Sequence, residues 1–101
     1  MTIFLVGDME NFGYMFADAE MTAAYYGHFV LNPMNFPDIK KIQEALIDCS
    51  DAILLLKGWA NTSRMVDLFN YATKVAKIPS ITYSPKAGKK MKSELTKGVK
   101  H

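Results

Sequence analysis

Residues 51–72 read DAILLLKGWANTSRMVDLFNYA, and this stretch decides the fold. Residues 52–56 form an unbroken apolar run of strand length, which is typical of a strand covered on both faces in the middle of a parallel sheet. A polar turn follows at 57–63, and a helical pattern begins at Met65. This order places the turn at the carboxyl edge of the sheet, where open α/β folds bind ligands. We therefore expect residues 58–67 to form one wall of a binding site.

Strand-like and helix-like segments alternate along the rest of the chain. The predicted strands are 2–6, 28–31, 52–56 and 79–83. Helical spacing of apolar residues predicts helices from Phe12 to Gly27, from Asn35 or Asp38 to Cys49, and from Asn61, Thr62 or Ser63 to Ala76. Short connections between alternating strands and helices imply right-handed crossovers and a parallel sheet. The predicted fold is a single Rossmann-like or flavodoxin-like three-layer α/β domain with the strand order 2-1-3-4.

The helices are predicted to turn defined apolar stripes toward the sheet. In the second helix the predicted stripe is Ile39, Ile42, Leu46 and Cys49. In the third helix it is Met65, Leu68, Phe69, Ala72 and Val75 or Ala76. Residues 84–99 predict a weak, basic helix.

Length and composition indicate one domain of residues 1–85 with a modest core, since the chain has 101 residues and half are apolar. Cys49 is the only cysteine, which excludes an intramolecular disulfide and favours a reducing compartment. The start of the chain lacks the pattern of a signal peptide, and no apolar run approaches the roughly 20 residues that span a bilayer. We expect a cytoplasmic protein without a membrane partner.

With seven Met and twelve aromatics, we also expect an apolar patch on the third helix or around Tyr25 and Tyr26, and at least a homodimer.

The positive charge is confined to the end of the chain. Residues 1–85 have a net charge of −3, whereas 86–101 carries six Lys against Glu94, a net charge of +5. A basic tail can contact phosphates, but a solvated terminal helix explains it as well. It lacks the interleaved aromatic residues that stack on bases, so nucleic acid is not the expected partner.

Three polar turns should meet at the carboxyl edge of the sheet, after the first, second and third strands. The predicted ligand-binding residues in and beside these turns are Gly7, Asp8, Met9, Phe12, Asn32, Pro33, Gly58, Trp59, Asn61 and Ser63. Trp59 could stack on a base or pack over the core. Asp8 could accept from sugar hydroxyls or cap the backbone. Ser63 could cap a helix or contact a phosphate.

Other polar residues allow fewer interpretations. Asn32 and Pro33 could line the pocket or only form a turn. Ser63 has no histidine base, which argues against a hydrolytic triad. His28 has no second His or Cys at ligand spacing, so we predict no metal, and we expect no cofactor.

A set of short motifs resembles the small proteins related to nucleoside 2-deoxyribosyltransferases. The residues that carry the resemblance, over roughly 2–83, are Gly7, Met9, Phe16, Gly27-His28, Asn32-Pro33, Cys49-Ser50-Asp51-Ala52, Gly58-Trp59, Ser63 and Ala72. The resemblance implies a Rossmann-like sheet, an oligomer whose subunits complete one another's pockets, and nucleosides or nucleotides as ligands. It also implies N-glycosidic bond cleavage by a glutamate early in the helix after the third strand.

This sequence departs from the family pattern at the position of the nucleophile. Counting back from Ala72 by the family spacing places Leu68 where the glutamate would stand, and the nearest carboxylate is Asp67. One residue corresponds to about 100° around a helix, so Asp67 would project from a different face. Asp8 also replaces a residue that is usually small or proline, and Arg64-Met65 replaces a small pair.

Two function classes follow. The sequence favours a protein that binds a nucleoside or nucleotide, such as a nucleotide-derived signal, with little or no turnover. The alternative is a nucleoside deoxyribosyltransferase or N-glycoside hydrolase, in which Asp67 is the catalytic residue and Asp8 orients the sugar or base. Asp67 could instead be a surface residue near Lys74, or an acid in the first turn that complements the helix dipole. A purely structural assembly protein is a third interpretation.

Overall fold

In the computed structural model, which describes residues 1–83, four strands form one parallel sheet. They are β1 (Thr2–Val6), β2 (Phe29–Leu31), β3 (Ala52–Leu55) and β4 (Ser80–Thr82). The order is β2-β1-β3-β4, and Ile3 pairs with both Val30 and Ala52. The predicted α/β class, the parallel pairing and the strand order are confirmed. The basic helix at 84–99 and the tail at 86–101 lie outside the described residues.

Within residues 1–83, three helices cover the two faces of the sheet. They are α1 (Tyr14–Tyr25), α2 (Lys40–Asp48) and α3 (Ser63–Asn70), and a π-turn at Tyr71–Val75 extends α3. Ile3 and Leu5 point toward α1, where they pack with Phe16 and Ala19. Phe4 and Val6 point the other way, toward α2 and α3. Alternate residues of β1 therefore build two separate apolar layers, as the period of a strand requires.

The first helix starts two residues later than predicted. The amide of Phe12 donates to the carbonyl of Asp8 (2.9 Å), which closes a turn before the helix can begin. At the other end Gly27 adopts φ +86°, the left-handed conformation that commonly ends helices and that glycine tolerates best.

The predicted stripe of α2 is confirmed at Leu46, which packs against the core, but it is wrong at Ile39 and Cys49. The helix buries Gln43 and Ile47, whereas Ile39 is 53% exposed and Cys49 is exposed. Gln43 can occupy a core position because its Nε2 donates to the carbonyl of Pro37 (3.0 Å). That hydrogen bond satisfies Nε2, whereas Oε1 of Gln43 is buried without a hydrogen-bond partner among the described residues. A pattern of apolar residues alone does not reveal this buried amide.

The stripe of α3 is confirmed at Met65, Leu68 and Ala72, which are all buried. Thr62 is the N-cap, and its hydroxyl accepts from the amide of Met65 (3.3 Å). Of the two alternatives at the end of the helix, Ala76 packs against the core and Val75 is 63% exposed.

Tyr83, which follows β4, connects this end of the sheet to α1. Tyr83 is 6% exposed, and its hydroxyl donates to the carboxylate of Asp18 and lies 3.5 Å from the hydroxyl of Thr22. Within residues 1–83, every helix is too short or too polar to cross a membrane.

Candidate ligand-binding site at the carboxyl edge of the sheet

A cavity of about 200 Å³ opens between the end of β1 and the start of α3. After β1 the chain enters α1 on one face of the sheet, and after β3 it enters α3 on the other face, so the cavity lies where open α/β folds bind ligands. The residues that line it are Gly7, Asp8, Met9, Glu10, Asp38, Thr62, Arg64 and Met65.

Gly7, which follows β1, lies in close contact with the side chains of Leu56 and Phe16. A Cβ atom at this position would lie 2.9 Å from Cβ of Leu56 and 3.0 Å from Cζ of Phe16. Only glycine fits between these two core side chains, and this close packing fixes the position of the following residues at the cavity.

Asp8 is buried, and its carboxylate organises the turn that forms one wall. Oδ1 accepts from the amides of Glu10 and Asn11 (both 3.1 Å), and Oδ2 accepts from the side-chain amide of Asn11 (2.8 Å). These hydrogen bonds, those from Asn11 above all, hold the pKa of Asp8 below its usual value, and burial opposes them only in part. Asp8 therefore carries a negative charge in the cavity wall at neutral pH.

Arg64 and Asp38 form an ion pair that joins the start of α3 to the segment before α2. Nη2 of Arg64 lies 3.0 Å from Oδ1 of Asp38. Nε and Nη2 are buried and make no well-directed hydrogen bond among the described residues. Arg64 is thus close to its counter-ion but poorly satisfied as a hydrogen-bond donor.

The structure brings three of the predicted binding residues, Gly7, Asp8 and Met9, to the cavity. Trp59 is not among the residues that line it. Its indole stacks on Phe69, with the ring centroids 4.6 Å apart, and packs against the apolar layer under α3. At least one face of the indole is therefore covered by the protein, and packing explains Trp59 better than base stacking.

Phe12, Gly58 and Asn61 lie outside the lining of the cavity and close to one another. Gly58 has φ +80°, and a Cβ atom there would lie 2.8 Å from the ring of Phe12. Nζ of Lys57 lies 5.2 Å from the centroid of the same ring, a cation–π distance. Asn61 is close enough to Asp8 to contribute to the lowered pKa of that carboxyl.

Asn32, Pro33 and Ser63 also lie outside the lining of the cavity. Oδ1 of Asn32 accepts from the amide of Met34 (3.0 Å), and its Nδ2 donates to Glu20 (3.1 Å). Pro33 is buried in the short 3₁₀ turn that Asn32 caps. Ser63 is the exposed first residue of α3, and Thr62 provides the cap.

The predicted catalytic position is not at the cavity. Asp67 is exposed on α3, and Leu68 is 1% exposed within the apolar core. Asp67 does not line the cavity, and a nucleophile at position 68 would point into the sheet. The arrangement does not support Asp67 as a nucleophile in this cavity.

Three of the other lining residues, Thr62, Arg64 and Met65, fall within the wall predicted at 58–67, whereas Glu10 and Asp38 are missed by sequence reasoning. The sequence predicts Thr62 as a possible cap of α3 and Met65 as a core residue. Arg64 and Asp38 are 26 positions apart, and no local pattern pairs them. The available signal was positional, because both residues flank a helix start next to the predicted edge.

Comparisons of the chain with family models, curated proteins and solved structures give no match. The resemblance to the deoxyribosyltransferase-related proteins thus stays an interpretation of the motifs in the sequence.

Proposed function

We propose that this protein binds a nucleoside or nucleotide in the cavity between β1 and α3, with little or no cleavage of the glycosidic bond. The observation that carries the proposal is the lining itself, in which carboxylates and methionines meet at the carboxyl edge of the sheet. Carboxylates accept hydrogen bonds from sugar hydroxyls, and Met9 and Met65 offer adaptable apolar walls for a flat base. The ligand class comes from the resemblance to the deoxyribosyltransferase-related proteins.

Charge and size favour the nucleoside over the nucleotide. Three carboxylates, Asp8, Glu10 and Asp38, line the cavity, with Arg64 as the one cation among the described lining residues. A phosphate would meet net repulsion there. The volume of about 200 Å³ is also small, since pockets for drug-sized ligands usually measure roughly 300–1,000 Å³.

The absence of turnover in the proposal follows from the position of Asp67 and Leu68. Covalent glycosyl transfer needs a carboxylate aligned with the anomeric carbon. Leu68 is an apolar core residue, and Asp67 is exposed away from the cavity lining. Binding without cleavage is therefore the better-supported alternative.

We place this binding in the cytoplasm and in at least a homodimer. The lone Cys49 is exposed and has no cysteine partner in the chain, which suits a reducing compartment. Large apolar side chains exposed on the surface support self-association, and they include Tyr14, Met21, Tyr25 and Phe29.

The experiment is a melting-temperature screen with purine and pyrimidine nucleosides and their 5′-monophosphates, together with chromatography for released base. We expect nucleosides to raise the melting temperature without releasing base. Glu10→Gln should weaken binding by roughly 10- to 100-fold, since hydrogen bonds to charged groups contribute about 1.5–3 kcal/mol. Asp67→Asn is the matched control and should leave affinity unchanged.

Three other outcomes have distinct meanings. No shift with any nucleoside would refute the proposal. Tighter binding of monophosphates than of nucleosides would refute the preference for the nucleoside. Release of free base by the wild type, abolished in Asp67→Asn, would show that the protein is an N-glycoside hydrolase or transferase instead.

A further inference from the structure

The outer face of α1 carries apolar side chains that the rest of the described fold leaves uncovered. Tyr14, Met21 and Tyr25 are 71%, 74% and 83% exposed. Ala17 and Ala24 on the same side are also exposed. The opposite side packs onto the sheet through Met15, Phe16, Ala19 and Ala23. A helix that is apolar on nearly all sides is typical of helices that are covered on all sides.

The spacing of the exposed residues is that of a helix-pairing seam. Tyr14, Ala17, Met21 and Ala24 are separated by 3, 4 and 3 residues, which is the a/d pattern of two packed helices. Along this seam large and small side chains alternate. A helix that packs here must therefore offer small side chains opposite the large ones.

We infer that the occupant of this seam is α1 of a second copy, packed antiparallel about a two-fold axis that crosses the seam midway between Ala17 and Met21. In that arrangement Tyr14 lies opposite Ala24 of the partner subunit, and Met21 lies opposite Ala17 of the partner subunit. Each large residue then meets a small one, in both copies at once. A two-fold interface has to be self-complementary in this way, and this seam satisfies the requirement.

The apolar contacts of the seam must outweigh a like-charge repulsion between the acidic residues that flank it in the two copies. The helix has two acidic residues, Asp18 and Glu20, and no basic ones. Both acids are already hydrogen-bonded within their own copy, Asp18 to the hydroxyl of Tyr83 and Glu20 to Nδ2 of Asn32 (3.1 Å). The dimer would therefore leave neither acid without a hydrogen-bond partner.

The exposed area is enough for a dimer of moderate affinity. Aromatic side chains bury roughly 150–250 Å² each, so two largely exposed tyrosines and Met21 supply about half of the ~800 Å² per partner of a standard interface. The two alanines and flanking groups add to this. An interface near the low end of the size range is typical of weak, reversible association.

The test is sedimentation velocity on the full chain at about 1–100 μM, without nucleoside. We expect a reversible dimer in the wild type. Met21→Glu should raise the dissociation constant at least about 100-fold, because each dimer loses two buried methionines. Val75→Glu, which places the same charge at an exposed apolar position beyond α3, is the matched control and should leave the dimer intact.

The orientation is tested by disulfide formation in a Cys49→Ser background. Ala17→Cys mixed with Met21→Cys should cross-link faster than either variant alone, as the antiparallel pairing requires. Faster cross-linking within each single variant would refute that pairing. A wild-type monomer at about 100 μM, or a dimer that Val75→Glu dissociates and Met21→Glu does not, would overturn the inference. Circular dichroism confirms that each variant folds.

Discussion

At the scale of single residues, Gly7 determines how closely β1 can approach its neighbours. Gly7→Ala would place a methyl group 2.9 Å from Leu56 and 3.0 Å from Phe16, both in the core. We expect a loss of about 1–3 kcal/mol in the free energy of unfolding, typical of overpacking. Gly27→Ala is the comparison, because a Cβ atom there meets nothing within 4 Å and only the positive φ is unfavourable. Urea denaturation of both variants measures the difference, and an equal loss in both would contradict the crowding argument.

The titration of Asp8 makes the free energy of unfolding depend on pH in the acid range. Its pKa in the folded protein lies below the ordinary value of 3.8, chiefly because Asn11 donates to it through its side chain and its amide. A carboxyl whose pKa is lowered on folding stabilises the fold at pH values above its pKa in the unfolded chain. That contribution is lost as the pH falls through its pKa in the folded protein. We therefore expect the free energy of unfolding to fall with pH below about 4.

The control for this prediction is Asp8→Asn, which removes the titrating group and keeps the shape of the side chain. Its stability, followed by urea denaturation at several pH values, should depend less on pH below 4 than that of the wild type. Parallel curves for the two proteins would show that Asp8 does not titrate differently in the folded and unfolded states.

At the scale of elements, α2 offers a direct comparison between a buried and an exposed isoleucine. Ile47→Ala should lower the free energy of unfolding by about 2–5 kcal/mol, because Ile47 is fully buried between α2 and the sheet. Ile39→Ala, at a residue 53% exposed, should change it by only about 0.5 kcal/mol or less. Thermal or urea unfolding distinguishes the two. A larger loss of stability in Ile39→Ala than in Ile47→Ala would show that the stripe predicted from the apolar pattern is the right one.

Local sequence patterns predict β3 but not the buried Gln43 of α2 or the ion pair at the cavity. The run at 52–56 predicts β3 and its central place because a strand covered on both faces has no polar alternation. The burial of Gln43 in α2 was not predictable from apolar periodicity, since it depends on a hydrogen bond from its side chain to Pro37 that the fold provides. The ion pair between Arg64 and Asp38 was not predictable for a related reason, because the fold brings these residues together across 26 positions. Local patterns predict the elements and the edge of the sheet, whereas side-chain pairs at the site depend on how the elements pack.

At the scale of the whole molecule, Tyr83 connects the last described strand to the first helix. Its hydroxyl donates to Asp18 from a position 65 residues away in the sequence. Burial, together with this hydrogen bond, raises the pKa of Tyr83 above its ordinary value of 10.0. A tyrosine whose pKa is raised on folding contributes fully to stability at pH values below its pKa in the unfolded chain. That contribution is lost as the pH rises through its pKa in the folded protein.

Tyr83→Phe should therefore lower stability at neutral pH by about 1 kcal/mol, the typical net contribution of a hydrogen bond. It should also flatten the loss of stability above pH ~10. Tyr25→Phe, at a residue 83% exposed, is the control and should change neither property. Equilibrium unfolding at pH 7 and pH 10.5 compares the three proteins, and identical behaviour of both variants would refute the role of Tyr83.

The π-turn after α3 means that the chain is one residue longer there than a regular helix needs. The amide of Ala76 donates to the carbonyl of Tyr71 (3.0 Å), five residues back instead of four. Deleting the exposed Lys74 should convert this turn to α-helix and leave a folded protein by circular dichroism. Deleting the exposed Ala17 should unfold it, because Ala19 and Ala23 would rotate out of the core by about 100°. Homologous chains that are one residue shorter should have their alignment gap at 71–75.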